Sequence, residues 1–325
     1  MEDKIRYNGL DVLRFICAVF VVFIHIKFPY NIQKYIEPII RTAVPLFFMI
    51  SGFFYQNLVE SGNLKRQILK ILKYLIYIYL IFFILAFLEK MIISNIFYID
   101  LDNMFTINSM LKFIIFNECP FFKIDYVSGH LWYMSAIIYT YIFVNIITRY
   151  NIKNKYIFLL CVFILYLSLF INLFTYRTFL YRNWLMTGVP YFLIGILIWK
   201  NKDFIKKINF NNFTILFIVF LFLSEIEKFL FFKDNFMETY IFTFPFCIII
   251  FIIFFKLNIK NNSILATFGK KYSFIIYIVH PWIIHIINEY LLYYKFEFII
   301  PIIVLLCSII FAMIFDYIRT KISTH

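Results

Sequence analysis

Apolar residues in this chain run in blocks of about twenty, the length needed to cross a hydrocarbon layer as a helix. Ten such runs cover approximately residues 10–29, 43–58, 74–95, 131–148, 156–175, 184–199, 213–231, 239–255, 273–293 and 298–318. The pattern predicts an all-α fold: a polytopic integral membrane helix bundle of about ten transmembrane helices. No Gly/Ser linker, internal repeat or soluble segment divides the runs, so a single domain over 1–325 is expected. The longest outer loop, 96–130, is long enough to form a partial lid. The first run lacks a small-residue cleavage site and is expected to be retained rather than removed as a signal.

Composition agrees. Hydrophobic residues make up 63% of the 325, aromatics 23% and charged residues 15%, against ~25% charged in soluble domains. That profile fits a polytopic protein, not a globular enzyme with an anchor. The net charge of +13 would suggest a nucleic-acid partner in a soluble protein, but here the placement of the charges supplies another reason. With the N-terminus inside, 19 of the 31 basic residues fall on inner segments and 11 on outer ones, with Arg14 inside the first run. The positive-inside rule then puts both termini in the cytoplasm. The abundance of Phe, Tyr, Ile, Lys and Asn suggests an AT-rich genome, hence the plasma membrane of a bacterium.

Few polar residues interrupt the runs. Asp11, Arg14 and His25 lie in the first. Eleven residues are close to three helical turns, so Arg14 and His25 share a face ~16 Å apart along the axis. Asp11 is one turn before Arg14 and can pair with it. An Arg snorkelling to the interface explains Arg14 alone. A His three turns deeper on the same stripe is not covered by that reading, and intramembrane ionisable groups mark functional sites by default. This orientation sets Arg14 near the cytoplasmic face and His25 buried in the outer half of the span.

The second run carries Pro45 and Ser51-Gly52, which fit either a helix break beside a cavity or close packing through small residues. The fourth opens with His130-Leu-Trp132-Tyr133 at the outer interface, where Trp is ordinary. Arg182 and Asn183 mark the outer mouth of the sixth. His280 lies about seven residues inside the ninth, next to Pro281, where a polar group needs a partner. Cys17, Cys161, Cys247 and Cys307 fall in apolar runs as small hydrophobes, and Cys119 stands in an outer loop. Neither cysteine nor histidine spacing signals a disulfide framework or a metal site, so no metal is expected.

Four strings in order resemble the membrane-bound acyltransferase 3 family of bacterial O-acyltransferases, in the manner of its short single-domain glycan O-acetyltransferases. They are Asp11-x-x-Arg14 with His25, Val44-Pro-Leu-Phe-Phe-Met-Ile-Ser-Gly-Phe53, His130-Leu-Trp-Tyr133, and Tyr272-Ser-Phe-Ile-Ile-Tyr-Ile-Val-His280. The resemblance implies transfer of an acyl group, usually acetyl, from cytoplasmic acyl-CoA to a hydroxyl of a cell-surface glycan or its lipid-linked precursor. The partners implied are acyl-CoA, that acceptor and membrane lipid, without nucleic acid and without a permanently bound cofactor.

The residue geometry suits this chemistry. Arg14 at the inner mouth can hold a CoA phosphate through its guanidinium fork, and a pantetheine arm is of the order of the ~16 Å from Arg14 to His25. His25 can then take the acceptor's proton or carry an acyl-His intermediate. Ser51, Trp132 and Tyr133 are candidate oxyanion donors by motif. Asp11, His130, Arg182 and His280 complete the expected substrate-binding set. Two alternatives remain. The membrane module of vancomycin-resistance serine racemases shares these motifs and implies transport or uptake. There a pyridoxal-phosphate domain follows the spans, whereas this chain stops at His325, which favours the acyltransferase. The other alternative is a polysaccharide export component.

Overall fold

The computed structural model describes residues 7–92, 107–117, 129–150, 152–175, 177–232, 237, 239–290 and 298–323. The regular elements among these residues are all helical. In chain order the α-helices are α1 Asn8–His25, α2 Tyr30–Ile40, α3 Ala43–Glu60, α4 Leu64–Ile92, α5 Ile107–Phe116, α6 Trp132–Ile147, α7 Asn154–Phe174 and α8 Val189–Lys200. They continue with α9 Lys202–Lys207, α10 Phe210–Glu227, α11 Thr243–Lys256, α12 Ile264–Lys271, α13 Ser273–Tyr290 and α14 Ile300–Ser323. A 3₁₀ turn, Gly129–Leu131, leads into α6, and π-helical turns cover Trp184–Gly188 and Lys228–Phe232.

The expected all-helical character is observed. Among the described residues, four segments are long and apolar enough to cross a membrane: Asn8–His25, Tyr30–Glu60, Asn154–Phe174 and Ile300–Ile322. Shorter apolar helices cover Trp132–Ile147, Trp184–Lys200, Thr243–Lys256 and Ser273–Asn288. Most of the expected outer loop, with Cys119, lies outside the described residues.

The chain divides into two compact units. Unit 1 comprises Met1–Ile50 and Asn201–His325, and unit 2 comprises Ser51–Lys200. In unit 1, α1 is the central element and contacts α2, α11, α12, α13 and α14. It begins with Asp11 in its first turn and ends with His25 in its last, the charge order that the helix dipole favours. It stops earlier than the expected 29, because Ile26 turns extended and Pro29 leads into α2. Ala18, Val22 and Ile26 form a core with Ile276, Ile284, Ile287, Val304 and Ala312. The tightest approach is between α1 and α12, where a Cβ on Gly269 would overlap the Asp11 carbonyl oxygen.

In unit 2, α6, α7 and α8 pack around the π-helical turn Trp184–Gly188. Here the two readings of Ser51-Gly52 separate. Helix α3 runs unbroken through both residues, and a Cβ on Gly52 would overlap the Phe192 carbonyl of α8. Small-residue packing, not a helix break, is the reason for the glycine. Pro45 falls in the first turn of α3, where a missing N–H costs nothing.

Candidate active site

Unit 1 holds two of the expected groups on α1. At one end the Arg14 guanidinium donates through Nη1 to Asp11 Oδ1 at 2.7 Å, with side-chain exposures of 30% for Arg14 and 9% for Asp11. The buried carboxylate fixes one edge of the guanidinium fork and so orients the rest. Asp11 is itself held, because its backbone lies against Gly269 of α12. One turn on, Ser273 Oγ donates to the Gly269 carbonyl at 2.6 Å and closes the junction of α12 and α13.

At the other end, His25 ends α1 and is exposed. The sequence predicts it buried inside a longer span; the early end of the helix at Ile26 puts it at the tip instead. Its ring centroid lies 5.2 Å from that of His280 on α13, at an interplanar angle of 47°. His280 is fully buried, and its Nδ1 is 3.1 Å from the Ile276 carbonyl oxygen. A carbonyl can only accept, so Nδ1 carries the proton. In the neutral ring the basic lone pair is then on Nε2. The neighbouring Tyr277 carbonyl also faces this imidazole. Pro281, inside the same helix, has no N–H to give to that carbonyl. The Pro next to the His thus explains how a polar ring is accommodated there.

Sequence reasoning missed a second charged group in unit 1. Glu37 on α2 and Lys228 at the end of α10 are each 1% exposed, with Nζ to Oε2 at 3.2 Å. Arg41 reaches the other oxygen, Oε1, through Nη2 at 3.2 Å. On the same face of α2, one turn earlier, Gln33 Oε1 accepts the Phe28 N–H at 3.1 Å, three residues after His25. The signal was present, since an ionisable residue in an apolar setting implies a partner. It was hidden because residues 30–40 read as a loop.

Unit 2 holds the remaining expected residues. Ser51 is half-buried on α3. His130 is buried on the 3₁₀ turn before α6, and Trp132 and Tyr133 open α6. The Arg182 guanidinium sits 5.7 Å from the Trp132 ring centroid, within cation–π range. Two residues not singled out as ligands tie this region together. Asn183 caps the π-helical turn, its Oδ1 accepting from the Leu185 and Met186 N–H groups at 2.9 Å each. Asn117 links the two tryptophan segments: Nδ2 donates to the Trp132 carbonyl at 3.2 Å, and Oδ1 accepts the Trp184 N–H at 2.8 Å. Trp132 and Arg182 are therefore brought together in unit 2, with His130 on the adjoining turn; in unit 1 Asp11 meets Arg14 at one end of α1 and His25 meets His280 at the other.

The profile of the acyltransferase-domain family matches residues 7–318. The chain belongs to the acyltransferase 3 family. Like other members of this family it carries apolar helices long enough to cross a membrane. Among curated proteins it is similar to an amino-acid racemase of Enterococcus faecalis, 26% identical over 360 aligned positions. The alignment covers 98% of this chain and 47% of the relative, so the chain spans about half that protein's length. No solved structure matches it significantly.

Unit 1 gathers a specific set of groups on one helix and its neighbours. Arg14 offers a guanidinium cation oriented by Asp11 at one end of α1. His25 and His280 offer two imidazoles in one place, one of them with its tautomer set by a main-chain carbonyl. Acyl transfer needs an oriented base and an anchor for the charged end of the donor. One helix carries both kinds of group.

Proposed function

We propose that this chain transfers an acyl group, acetyl, from cytoplasmic acyl-CoA to a hydroxyl of a cell-surface glycan or lipid-linked glycan precursor in a bacterial plasma membrane. The observation that carries the reading is the pairing, on α1, of the Asp11-braced Arg14 at one end with the His25–His280 imidazole pair at the other. Arg14 binds a phosphate of the CoA nucleotide, and the pantetheine arm runs along the helix to His25. His25 accepts the proton of the acceptor hydroxyl as its oxygen attacks the thioester carbonyl. The tetrahedral intermediate collapses with loss of the CoA thiolate, to which the imidazolium returns the proton. The products are the O-acyl ester and CoA-SH. His280 holds His25 in place as its buried neighbour. We assign acceptor recognition to His130, Trp132, Tyr133 and Arg182. The proposed topology has ten crossings and both termini in the cytoplasm, on the strength of the basic-residue asymmetry.

The test uses purified, detergent-solubilised protein with radiolabelled acetyl-CoA and the cell-envelope fraction of a strain deleted for the gene. Base-labile label in envelope glycan, with stoichiometric release of CoA-SH, is expected. No label in glycan while monodisperse protein still binds acetyl-CoA would overturn the acceptor assignment.

A second reading rests on the similarity to the Enterococcus faecalis amino-acid racemase. By this reading the chain is a membrane transport or uptake module like that of the vancomycin-resistance serine racemases it resembles. Uptake of radiolabelled serine into proteoliposomes, unaffected by acetyl-CoA, would favour it.

A further inference from the structure

Asn117 has a position that neither the motifs nor the family match explain. It follows α5, is fully buried, and adopts φ of 51°, a left-handed conformation that Asn tolerates better than most residues. In the described residues of unit 2 its side chain joins two segments far apart in sequence. Its amide donates to the carbonyl of Trp132 at 3.2 Å, and its oxygen accepts the main-chain N–H of Trp184 at 2.8 Å. The same junction is braced once more, because the Trp184 indole Nε1 donates to the Ile115 carbonyl at 2.7 Å, two residues before Asn117. Tyr139 and Phe143 of α6 pack edge-on against the Trp184 ring, at 6.2 and 5.2 Å between centroids.

These bonds fix main chain, not merely side chains. The Trp132 carbonyl opens α6 directly after the turn that carries His130, and Trp184 lies two residues from Arg182. One asparagine therefore sets the backbone of the histidine–tryptophan segment against that of the arginine segment, and the Arg182–Trp132 contact at 5.7 Å depends on both. Both polar functions of the side chain are needed, because one end requires a donor and the other an acceptor. A carboxylate at the same place keeps the acceptor but points an oxygen at the Trp132 carbonyl oxygen.

We infer that Asn117 is a positioning residue for acceptor recognition, acting through the Trp132 and Trp184 main chain to set the His130–Trp132–Arg182 group. The inference rests on the proposed acceptor role of that group. Two variants test it. Asn117→Gly accommodates the left-handed backbone and deletes both bonds. Asn117→Asp retains the bond to the Trp184 N–H and reverses the polarity of the other.

The assay uses radiolabelled acetyl-CoA with the envelope fraction of the deletion strain as acceptor. Misplacement by ~1 Å can cost ~10²-fold, so the envelope concentration for half-maximal transfer should rise by about tenfold or more. The KM for acetyl-CoA should stay within about twofold, because the donor contacts are separate. An unchanged envelope requirement, or a rise in acetyl-CoA KM instead, would overturn the assignment.

A readout independent of transfer keeps the two proposals apart. The chain has four tryptophans, so fluorotryptophan labelling and fluorine NMR give one resonance each for Trp132, Trp184, Trp199 and Trp282. Each is assigned by Trp→Phe substitution. Both Asn117 variants should shift the Trp132 and Trp184 resonances and leave Trp199 and Trp282 in place. If wild-type protein transfers nothing from acetyl-CoA but these two resonances shift together, the function is wrong and the positioning stands. If neither resonance moves, Asn117 positions nothing, whatever the transfer assay shows.

Discussion

The two units handle buried polarity in different ways. Among the described residues of unit 1, the buried polar side chains include Asp11, Glu37, Glu227, Lys228 and Asp316. Among the described residues of unit 2 they are Asn117, His130, Ser135, Thr140, Ser168, Asn183 and Thr187, with no acid, lysine or arginine among them. Unit 1 neutralises charge with charge, as in Glu37–Lys228 and Asp11–Arg14, or with main-chain donors, as where Glu227 accepts the Ile241 and Phe242 N–H groups at 2.6 and 3.0 Å. Unit 2 satisfies amides and hydroxyls against main chain. Ser168 and Thr187 both donate to the Tyr181 carbonyl, at 3.3 and 2.9 Å. The difference matches the division of labour proposed here. A donor carrying phosphates and a reaction moving a proton call for ionisable groups. A neutral hydroxylated acceptor calls for oriented amides, aromatics and a single cation.

The comparison is most exposed at the Glu37–Lys228 pair. Glu37→Gln leaves the Lys228 ammonium without its carboxylate, and removing one member of a buried pair costs about 3–5 kcal/mol. We expect the largest loss of thermal stability here, read by unfolding in detergent. Wild-type stability in this variant would mean that unit 1 does not depend on charge pairing.

Next in size is Arg14. Arg14→Ala should lower acetyl-CoA affinity by ~1.5–3 kcal/mol, the worth of a charge-assisted hydrogen bond. Arg14→Lys should recover only part, because it keeps the charge and loses the fork. Binding measured by calorimetry on folded protein decides this. Unaltered affinity in Arg14→Ala would leave Arg14 as the structural partner of Asp11.

A smaller effect on stability is expected at the α1–α12 contact. In Gly269→Ala the new methyl group meets the Asp11 carbonyl, and overpacking of this kind costs ~1–3 kcal/mol. Because Asp11 orients Arg14, acetyl-CoA affinity should fall along with melting temperature. Loss of stability with affinity intact would separate the brace from the anchor.

The smallest is in unit 2. Asn183→Ala removes a cap from the π-helical turn, worth about 1 kcal/mol, and should leave acetyl-CoA affinity untouched. A fall in donor affinity would break the division of labour.

What could be read in the sequence was whatever depends on local spacing. Arg14 and Asp11 are one turn apart, so their pairing follows from helix geometry, and the structure shows it at 2.7 Å. Among the described residues the apolar runs are helical, four segments being long enough to cross a membrane, because a run of that length leaves the backbone few other ways to satisfy its hydrogen bonds. Contacts between distant segments were not legible. Nothing local says that His280 reaches His25 across 255 positions. Helix α2 was missed because its apolar content is diluted by Asn31, Gln33, Lys34 and Glu37, and two of these, Gln33 and Glu37, are buried. Asn117 was missed because its importance lies in a left-handed backbone and two main-chain partners, neither of which leaves a mark on the sequence.

The central claim is that α1 carries donor anchor and base at its two ends. It is tested most directly by His25→Gln, which keeps hydrogen-bonding capacity and removes basicity. With radiolabelled acetyl-CoA and the deletion-strain envelope, we expect acetyl-CoA binding at the wild-type level. Transfer should be lower by ~10²–10⁴, the usual cost of losing a general base, in protein that elutes monodisperse. Near-wild-type transfer in His25→Gln would contradict the account and move the proton-accepting role away from α1.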